Sequence, residues 1–387
     1  MIIFRNILSK GKTMKKTFKA LFGVIALISL AAGCSKSGKE AGEANIIRIG
    51  SVGPLTSDLA YIGENMKAAV ELASDEINSA GGIKGKKIEI IYEDGKCDPK
   101  EAANAANKLI NIDKVTAIIG GLCSSETLAM APLAEKSKVI LLSAGSTNPG
   151  ITNAGDYIFR NVPSDSFQGV YAAKYVRTKL NKQRVALLKC LSDWCLGVND
   201  SFKAEFVRLG GEIVGEEAFP QDSRDLRGQL VKIKAANPEL VYFVSYTEGT
   251  IVGLRQMREL GVKAPVFGAD AWSDPKIWES VKGDGDGAMY LEPANKAYPE
   301  GFVDALSKKT GGKEINVYAP RAYDALKILA SVMETAGTDT VLIKKGIYGV
   351  ADYKGIADNY TFDANGDIKN ADYSVREVRG GKAAGAK

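Results

Sequence analysis

The chain has a stretch of small and polar residues between Gly95 and Asn148 that is suited to binding a small anion. It contains three segments, KCDPKEAANAANKL, IIGGLCSSET and LLSAGSTNP. The last two place hydroxyl and small side chains on turns that follow apolar strands and open helices. Such turns expose free backbone N–H groups at the positive end of a helix, which favours a carboxylate or a phosphate. The stretch therefore predicts a binding floor for a small anionic or zwitterionic group.

Several kinds of chemistry are excluded or made improbable by residue types. The chain has no histidine, so neither a Ser-His-Asp nor a Cys-His arrangement can form within it, and a zinc site has little support. The segment GGIKGKK lacks the spacing and the Ser/Thr of a phosphate loop. The segment DANGD at Asp363–Asp367 begins like a calcium loop, but Ile368 replaces the required glycine and Ser374 the required glutamate. We therefore predict a turn there, and no metal, cofactor or enzymatic activity.

The N-terminus predicts export from the cytoplasm. Residues 1–33 carry six basic side chains and no acidic one, and an apolar run covers Ala20–Ala32. This run is too short for a comfortable membrane span, and the whole pattern is typical of a signal peptide. The segment LAAGC resembles a bacterial lipoprotein signal that would leave Cys34 acylated, while Met14 is a candidate for the true start. An ordinary signal peptide is the alternative. Residues 34–45 predict a flexible tether from lipid to folded domain.

The remaining cysteines predict disulfides. An even number of cysteines outside the cytoplasm indicates disulfide bonding. Four residues allow three pairings, of which Cys97–Cys123 with Cys190–Cys195 is the simplest.

Charge argues against nucleic acid as a partner. The whole chain has 51 Lys and Arg against 46 Asp and Glu, but six of the basic residues lie in the predicted leader. The mature part therefore has 45 against 46, which leaves no basic field for a nucleic acid.

Apolar, β-rich segments alternate with helical patterns through the whole of the mature chain. Nine strands and ten helices are predicted between Ile46 and Ala336, and the C-terminal GGKAAGAK is expected to fray. Alternation of this kind indicates parallel sheets flanked by helices, with ligands bound at the carboxyl ends of the strands. About 340 residues exceed one ordinary domain, so we predict two similar α/β lobes around a cleft.

The segments GGIKGKKIEIIYEDGKCDPKEAANAANKLI, GGLCSSET and SAGSTNP closely resemble the extracytoplasmic binding proteins for branched-chain amino acids. The likeness runs from about Ile46 to the C-terminus and is strongest in its first 110 residues. It implies two Rossmann-like lobes with parallel sheets, joined by a three-stranded hinge, in a monomer that serves an ABC permease of the inner membrane. The lobes would comprise 46–165 plus 295–369 and 166–294 plus 370–387.

The resemblance also implies which residues hold the head group of an amino acid. Its carboxylate and ammonium would be bound at the two turns, by backbone N–H groups, hydroxyls and carbonyl oxygens of Leu122, Cys123, Ser124, Ser146 and Thr147. Helix capping is the alternative role for Ser124 and Thr147.

The second lobe would supply the remaining contacts. Asp270 stands where the family has an acidic residue, usually glutamate, on the ammonium group. Trp194 and Tyr246 stand where aromatic side chains cover the ligand, with simple loop packing as the alternative for Trp194. Near the side-chain pocket, either Tyr61 or Ile62 takes the place of a family aromatic. Leucine, isoleucine or valine is the leading substrate, and another neutral or aromatic amino acid, or an amide, remains open. A ligand sensor using the same cleft is the alternative to a transport component.

Overall fold

The computed structural model describes residues 45–369 and 371–386. The predicted signal peptide, the lipidation site Cys34 and nearly all of the predicted tether lie outside these residues. Within the part that is described, no helix combines the length and the apolar character that crossing a membrane requires.

The strands and helices alternate along the chain as the sequence predicts. The β-strands of the described residues are β1 (Ile46–Gly53), β2 (Lys87–Asp94), β3 (Ala117–Ile119), β4 (Ile140–Ser143), β5 (Ile158–Arg160), β6 (Arg184–Leu191), β7 (Glu212–Pro220), β8 (Leu240–Val244), β9 (Val266–Gly268), β10 (Met289–Pro293), β11 (Tyr353–Lys354), β12 (Asn359–Tyr360), β13 (Tyr373–Arg379) and β14 (Lys382–Gly385). The α-helices are α1 (Ala60–Ser79), α2 (Pro99–Asn111), α3 (Ser124–Ser137), α4 (Asp165–Lys174), α5 (Asp193–Arg208), α6 (Arg227–Ala235), α7 (Thr247–Glu259), α8 (Pro275–Val281), α9 (Glu300–Thr310), α10 (Ala319–Ala336) and α11 (Thr340–Tyr348).

A first sheet contains five parallel strands in the order β2-β1-β3-β4-β5. Strands β3, β4 and β5 are buried at every position, as expected for strands that are covered on both faces. After β10 the chain returns to this sheet: α9 and α10 pack on α1, α11 packs on α10, and α10 also reaches β3 and β4. The sheet is thus completed by helices that are distant in sequence.

A second sheet contains seven strands in the order β14-β13-β10-β9-β8-β6-β7. Strands β6 to β10 are parallel, whereas β13 runs antiparallel to β10 and β14 antiparallel to β13. The prediction of parallel sheets is therefore right for the first sheet and incomplete for the second. The expected fraying of GGKAAGAK is wrong, because Gly380 and Gly381 both take positive φ angles (59° and 72°) and turn the chain back as a hairpin.

All nine predicted strands and ten predicted helices are present, most of them with shifts of a few residues at their ends. The helices predicted at Asn65–Ala80 and Val198–Leu209 each begin five residues earlier than expected, as α1 and α5. The missed elements are short or late: β5, α11, the β11–β12 hairpin and the antiparallel pair. Two shifts matter for function. Helix α1 begins at Ala60, so Tyr61 and Ile62 lie in its first turn. Helix α5 begins at Asp193, because the Ser192 side chain caps it by accepting the N–H of Cys195 at 3.2 Å. Trp194 is therefore helical and does not lie in a loop.

Candidate functional site

A small cavity lies where elements of the two sheets meet. It is lined by Leu59, Ile62, Leu122, Ser124, Gly145, Trp194, Tyr246, Asp270, Ala271 and Tyr318. Six of the ten residues predicted to bind ligand are in this lining. The other four do not line the cavity: Tyr61, Cys123 and Ser146 are each adjacent in sequence to a lining residue, and Thr147 follows Ser146. The lining residues that were not predicted are Leu59, Gly145, Ala271 and Tyr318.

The turn GGLCSSET connects β3 to α3, and its geometry depends on a buried glutamate. The Glu126 carboxylate accepts the N–H groups of Leu122 (3.0 Å), Cys123 (2.9 Å) and Cys97 (3.0 Å). Burial raises the pKa of Glu126 to about 7, although these three hydrogen bonds act to lower it. The N–H groups of Leu122 and Cys123 are thus already bound, and they do not serve as the anion donors that the sequence suggested.

The first turn of α3 keeps donors for a ligand. Among the described residues, the backbone N–H groups of Ser124 and Ser125 have no hydrogen-bond partner. Ser124 lines the cavity, and its hydroxyl oxygen accepts the N–H of Asn148 at 3.1 Å. Because a helix start carries partial positive charge, this turn favours a carboxylate. Of the turn residues predicted to hold the carboxylate, Ser124 thus has an unbonded backbone N–H group among the described residues, whereas the N–H groups of Leu122 and Cys123 bind Glu126. The anion site itself stays a prediction.

Both predicted disulfides are present. Cys97 and Cys123 are joined with their Cα atoms 5.3 Å apart, which ties the loop after β2 to the start of α3. Cys190 and Cys195 are joined at 5.5 Å, across the link from β6 to α5. The second bridge encloses Trp194, so it fixes the backbone from which that side chain enters the cavity.

The hydroxyls of the SAGSTNP turn hold the protein together rather than facing the cavity. The Ser146 hydroxyl bonds to Thr127 Oγ1 at 2.7 Å and donates toward the carbonyl oxygens of Gly121 and Leu122, each at 3.1 Å. The Thr147 hydroxyl donates to Asp165 Oδ2 at 2.9 Å. These bonds lock the two turns against each other and against α4. This is not the helix capping that the sequence left open for Thr147, because its hydroxyl donates to a side chain, and Ser164 caps α4 by accepting the N–H of Ser166 at 3.3 Å.

Arg160 stabilises the SAGSTNP turn, a role that was not predicted from the sequence. Its guanidinium donates to the carbonyl oxygens of Thr147 (2.9 Å) and Asn148 (2.8 Å), and it pairs with both carboxylate oxygens of Asp367 (2.6 and 2.7 Å). Asp367 belongs to the DANGD segment, which forms a turn as predicted, with Gly366 at a φ of 80°. An arginine inside the apolar segment YIFRN was the available signal, since buried arginine requires partners.

Asp270 lies two residues after the end of β9 and is the acidic residue of the cavity. It is 1% exposed. Its Oδ2 accepts the Tyr318 hydroxyl at 2.6 Å, and its backbone N–H donates to Gln168 Oε1 at 3.2 Å. Its Oδ1 has no hydrogen-bond partner within the described part of the chain. Burial raises the pKa of Asp270, although the hydrogen bond from Tyr318 acts to lower it.

A second buried carboxylate stands near the first. Burial, with the charge of Asp270 as the next cause, raises the pKa of Asp165 well above its usual range. Asp165 is linked to Asp270 through Gln168, whose Nε2 donates to Asp165 Oδ1 at 3.3 Å. One ammonium group bound at the unpaired oxygen would offset part of the negative charge that these two carboxylates carry when ionised.

Aromatic side chains form one wall of the cavity. Trp194 and Tyr246 stack with ring centroids 4.8 Å apart and planes at 29°. Ile62 lines the cavity, whereas Tyr61 lines a separate, neighbouring one and donates its hydroxyl to the carbonyl oxygen of Glu314 at 2.5 Å. Of the two alternatives at this position, the structure thus brings Ile62 to the site. Together with Leu59 and Leu122, these side chains leave an apolar space beside the polar groups.

No group of three or more His, Cys, Asp or Glu side chains in the described ranges could hold a metal ion. The polar groups of the cavity are instead a helix start and a carboxylate, which suit an organic ligand that carries both charges.

The chain is similar to known binding proteins over nearly all of its mature length. It is 28% identical to the leucine-, isoleucine-, valine-, threonine- and alanine-binding protein of Pseudomonas aeruginosa, over 94% of this chain and 97% of that protein. It superposes on the leucine-binding protein LivK of Thermotoga maritima with a TM-score of 0.82 and 27% identity, covering 88% of this chain and 98% of the other. For LivJ of Streptococcus pneumoniae, solved with isoleucine, the values are 0.80 and 28%, with 87% and 97% coverage.

The sequence pattern of one protein family matches residues 46–383, which include the first sheet, all of the second sheet except the end of β14, and every residue of the cavity. This span exceeds half of the chain by a wide margin, and the folds of LivK and LivJ agree with it. The chain therefore belongs to the periplasmic binding protein family.

Proposed function

We propose that this protein is an extracytoplasmic solute-binding lipoprotein that captures an amino acid and delivers it to an ABC importer. The observation that carries the proposal is the pairing of opposite charges in one cavity. The unbonded N–H groups at the start of α3 suit an α-carboxylate, and the unpaired Oδ1 of Asp270 suits an α-ammonium group. A zwitterion bound there would satisfy both.

The apolar lining supports a branched-chain side chain. Leu59, Ile62 and Leu122 provide aliphatic surface, and the Trp194–Tyr246 stack provides an aromatic wall. The names of the relatives from Pseudomonas aeruginosa and Thermotoga maritima, and the isoleucine bound by LivJ of Streptococcus pneumoniae, point in the same direction. We therefore infer leucine, isoleucine or valine as the substrate. The aromatic wall favours, as a second candidate, a receptor for another neutral or aromatic amino acid, or for an amide.

We infer further that the two sheets belong to two lobes that close over the ligand. Among the described residues, the chain passes between the sheets three times, after β5, after β10 and before β13. These crossings support a three-stranded hinge and lobes of 46–165 plus 295–369 and 166–294 plus 370–387. The predicted signal sequence and Cys34 support anchoring to a membrane by lipid. The protein would act as a monomer, with a permease as its partner.

Isothermal titration of the purified protein tests the proposal. Leucine, isoleucine and valine should each bind with 1:1 stoichiometry, and the remaining amino acids and their amides rank the alternatives. Binding of one ligand should also raise the melting temperature, because it stabilises the folded state. If none of the twenty amino acids or their amides gives heat or a thermal shift, the amino-acid assignment is wrong. Genes for a permease and an ATPase beside this gene would favour transport over sensing.

A further inference from the structure

Tyr318 joins the two sheets of the molecule through its hydroxyl. It directly precedes α10, which packs on α1 and reaches strands β3 and β4 of the first sheet. Its partner Asp270 follows β9 of the second sheet. The hydroxyl donates to Asp270 Oδ2 at 2.6 Å, and both residues are buried, with 4% and 1% of their surfaces exposed. The contact is thus a short, water-excluded bond across the cleft.

The backbone of Tyr318 is fixed to the helix that carries Ile62. Asn316 Oδ1 accepts the N–H of Tyr318 at 2.9 Å, and Asn316 Nδ2 donates to the carbonyl oxygen of Ile62 at 3.3 Å. Asn65 Oδ1 in turn accepts the N–H of Asn316 at 3.4 Å. Tyr318 is therefore anchored through Asn316 to the start of α1, while its side chain reaches the second sheet. Its hydroxyl has little freedom to follow Asp270 if the sheets separate.

Asp270 is held from the other side by a chain of side chains. Its backbone N–H donates to Gln168, which donates to Asp165, and Asp165 accepts the hydroxyl of Thr147 in the first-sheet turn. Gln168 thus fixes the backbone of Asp270 and Tyr318 fixes Oδ2, while Oδ1 has no hydrogen-bond partner among the described residues. Both Asp270 and Tyr318 line the cavity, so a ligand bound there can donate to this unpaired oxygen.

We propose that Tyr318 is a positioning residue for ligand capture, whose bond to Asp270 aims the free carboxylate oxygen at the ligand and holds the cleft closed. The inference rests on the proposed function, because it requires a cleft that closes on a ligand with an ammonium group. It assigns Tyr318 a role that apolar contact alone would not require, since phenylalanine would line the cavity equally well. The hydroxyl matters because it is a donor to a charged acceptor.

The proposal predicts effects on kinetics and on pH dependence. Removing the hydroxyl leaves both oxygens of Asp270 without a donor, and hydrogen bonds to charged groups are the stronger ones. Since the bond joins two sheets in the closed state, its loss should speed ligand release more than it slows capture. It also removes a bond that lowers the pKa of Asp270. As the pH is lowered, binding should therefore be lost at a higher pH in the variant than in the wild type. The other titratable groups around Asp270 are Asp165, Glu292, Tyr242, Tyr246 and Tyr373.

A matched control exists in the same chain. Tyr360 is also fully buried and donates its hydroxyl to a buried aspartate, Asp324, at 2.8 Å, but neither residue lines the cavity. Tyr318→Phe and Tyr360→Phe therefore remove the same kind of bond, one across the cleft and one away from it. Wild type and both variants would be titrated with L-leucine, L-isoleucine and L-valine, and rates would be measured by stopped-flow fluorescence over pH 5 to 8.

We expect Tyr318→Phe to weaken binding about tenfold or more, mainly through faster release, on the scale of hydrogen bonds to charged groups. Tyr360→Phe should lower the melting temperature and leave affinity and release unchanged. In an Asp270→Asn background, Tyr318→Phe should cause little further loss of affinity. This double-mutant cycle measures the coupling of the two residues and gives a second test of the inference. Unchanged affinity and release in Tyr318→Phe, or equal losses in Tyr360→Phe, would overturn the inference alone. Absence of binding by the wild type would overturn the proposed function, and this inference with it.

Discussion

The substitution Asp270→Asn removes a buried charge while preserving the shape of the side chain. The asparagine oxygen can still accept the Tyr318 hydroxyl, and the backbone bond to Gln168 is unaffected. What changes is the charge offered to the ligand through the unpaired Oδ1. We expect the affinity for the ligand and the stability of the free protein to change in opposite directions.

The loss of affinity follows from the burial of the site. Truncating one partner of a buried, hydrogen-bonded charge pair costs about 2–5 kcal/mol, because the other charge is left without a partner. This corresponds to weakening of roughly 30-fold to more than a thousandfold. Asp270 is 1% exposed and its Oδ1 has no partner in the described residues, so the upper part of this range is the expectation.

The gain in stability follows from the pKa shifts. Burial raises the pKa of Asp270, and burial with the charge of Asp270 raises that of Asp165. A carboxyl group with a raised pKa in the folded state favours folding most below its unfolded pKa of about 4, and this contribution is lost as the pH rises through the folded value. Above the unfolded value, ionising Asp270 in the free protein therefore carries a cost in stability. Asp270→Asn removes that cost, so its melting temperature should exceed that of the wild type by more as the pH is raised.

The same shifts set the pH dependence of binding. Ionised Asp270 is the form that attracts an ammonium group, so affinity is present above its raised pKa and is lost as the pH falls through it. The loss should begin at a higher pH than for an ordinary aspartate. The thermal shift produced by the ligand should grow from pH 5 to pH 8 in the wild type and stay nearly flat in Asp270→Asn.

Calorimetric titration and thermal melts of both proteins measure these effects. Asp324→Asn is a suitable control, because Asp324 is buried and satisfied by the N–H groups of Ile356 and Ala357 and by Tyr360. Burial raises the pKa of Asp324 as well, but both of its oxygens accept backbone N–H groups, so asparagine would place its amide donor against one of them. Its replacement should therefore reduce stability and leave affinity unchanged. If Asp270→Asn binds the ligand as tightly as the wild type, the assignment of Asp270 to the ammonium group is refuted. If it loses stability as Asp324→Asn does, the argument from the cost of ionising Asp270 is refuted.

Two further predictions concern the elements that hold the binding turns. Replacing Cys97 and Cys123 with alanine should cost about 3.5 kcal/mol of unfolding free energy on the chain-entropy model, since their separation is 26 residues. The same change at Cys190 and Cys195, separated by 5 residues, should cost about 2 kcal/mol. Urea denaturation of both variants measures the two losses of unfolding free energy. A larger loss on removing the Cys190–Cys195 bridge would contradict the loop-length argument. Glu126→Gln places an amide donor against a backbone N–H group and should cost about 1–3 kcal/mol; a variant as stable as the wild type would show that the glutamate is not required to hold the turn.

Local rules were sufficient for the alternation of strands and helices and for their positions. Helix α2 shows why: Asp98 caps it by accepting the N–H groups of Lys100 and Glu101 at 2.9 Å, and Pro99 occupies its first turn. These signals lie within a few residues of one another, so the sequence alone locates the helix. The missed β5, three residues long, depends on pairing with β4 and offers too little local pattern.

The partners of the site residues required the fold. Nothing in the segments GGLCSSET and SAGSTNP shows that Glu126 takes the N–H groups of Leu122 and Cys123, or that Ser146 bonds back to the first turn. The sequence predicted that the two turns bind a small anionic or zwitterionic group, because small residues and hydroxyls follow apolar strands there. Which donors remain free for a ligand was decided by hydrogen bonds between turns.

The sequence by itself predicted an export signal and two anion-favouring turns, and it determined the order of elements and the acidic residue at position 270, because each depends on residue types within a short window. Only the tertiary structure decided that Tyr318 meets Asp270, that Arg160 pairs with Asp367, and that Ile62 rather than Tyr61 lines the cavity. These contacts join residues 48 and 207 positions apart in the first two cases. The physical reason is that a buried polar group takes its partner from whatever the packing of the two sheets brings within hydrogen-bond distance.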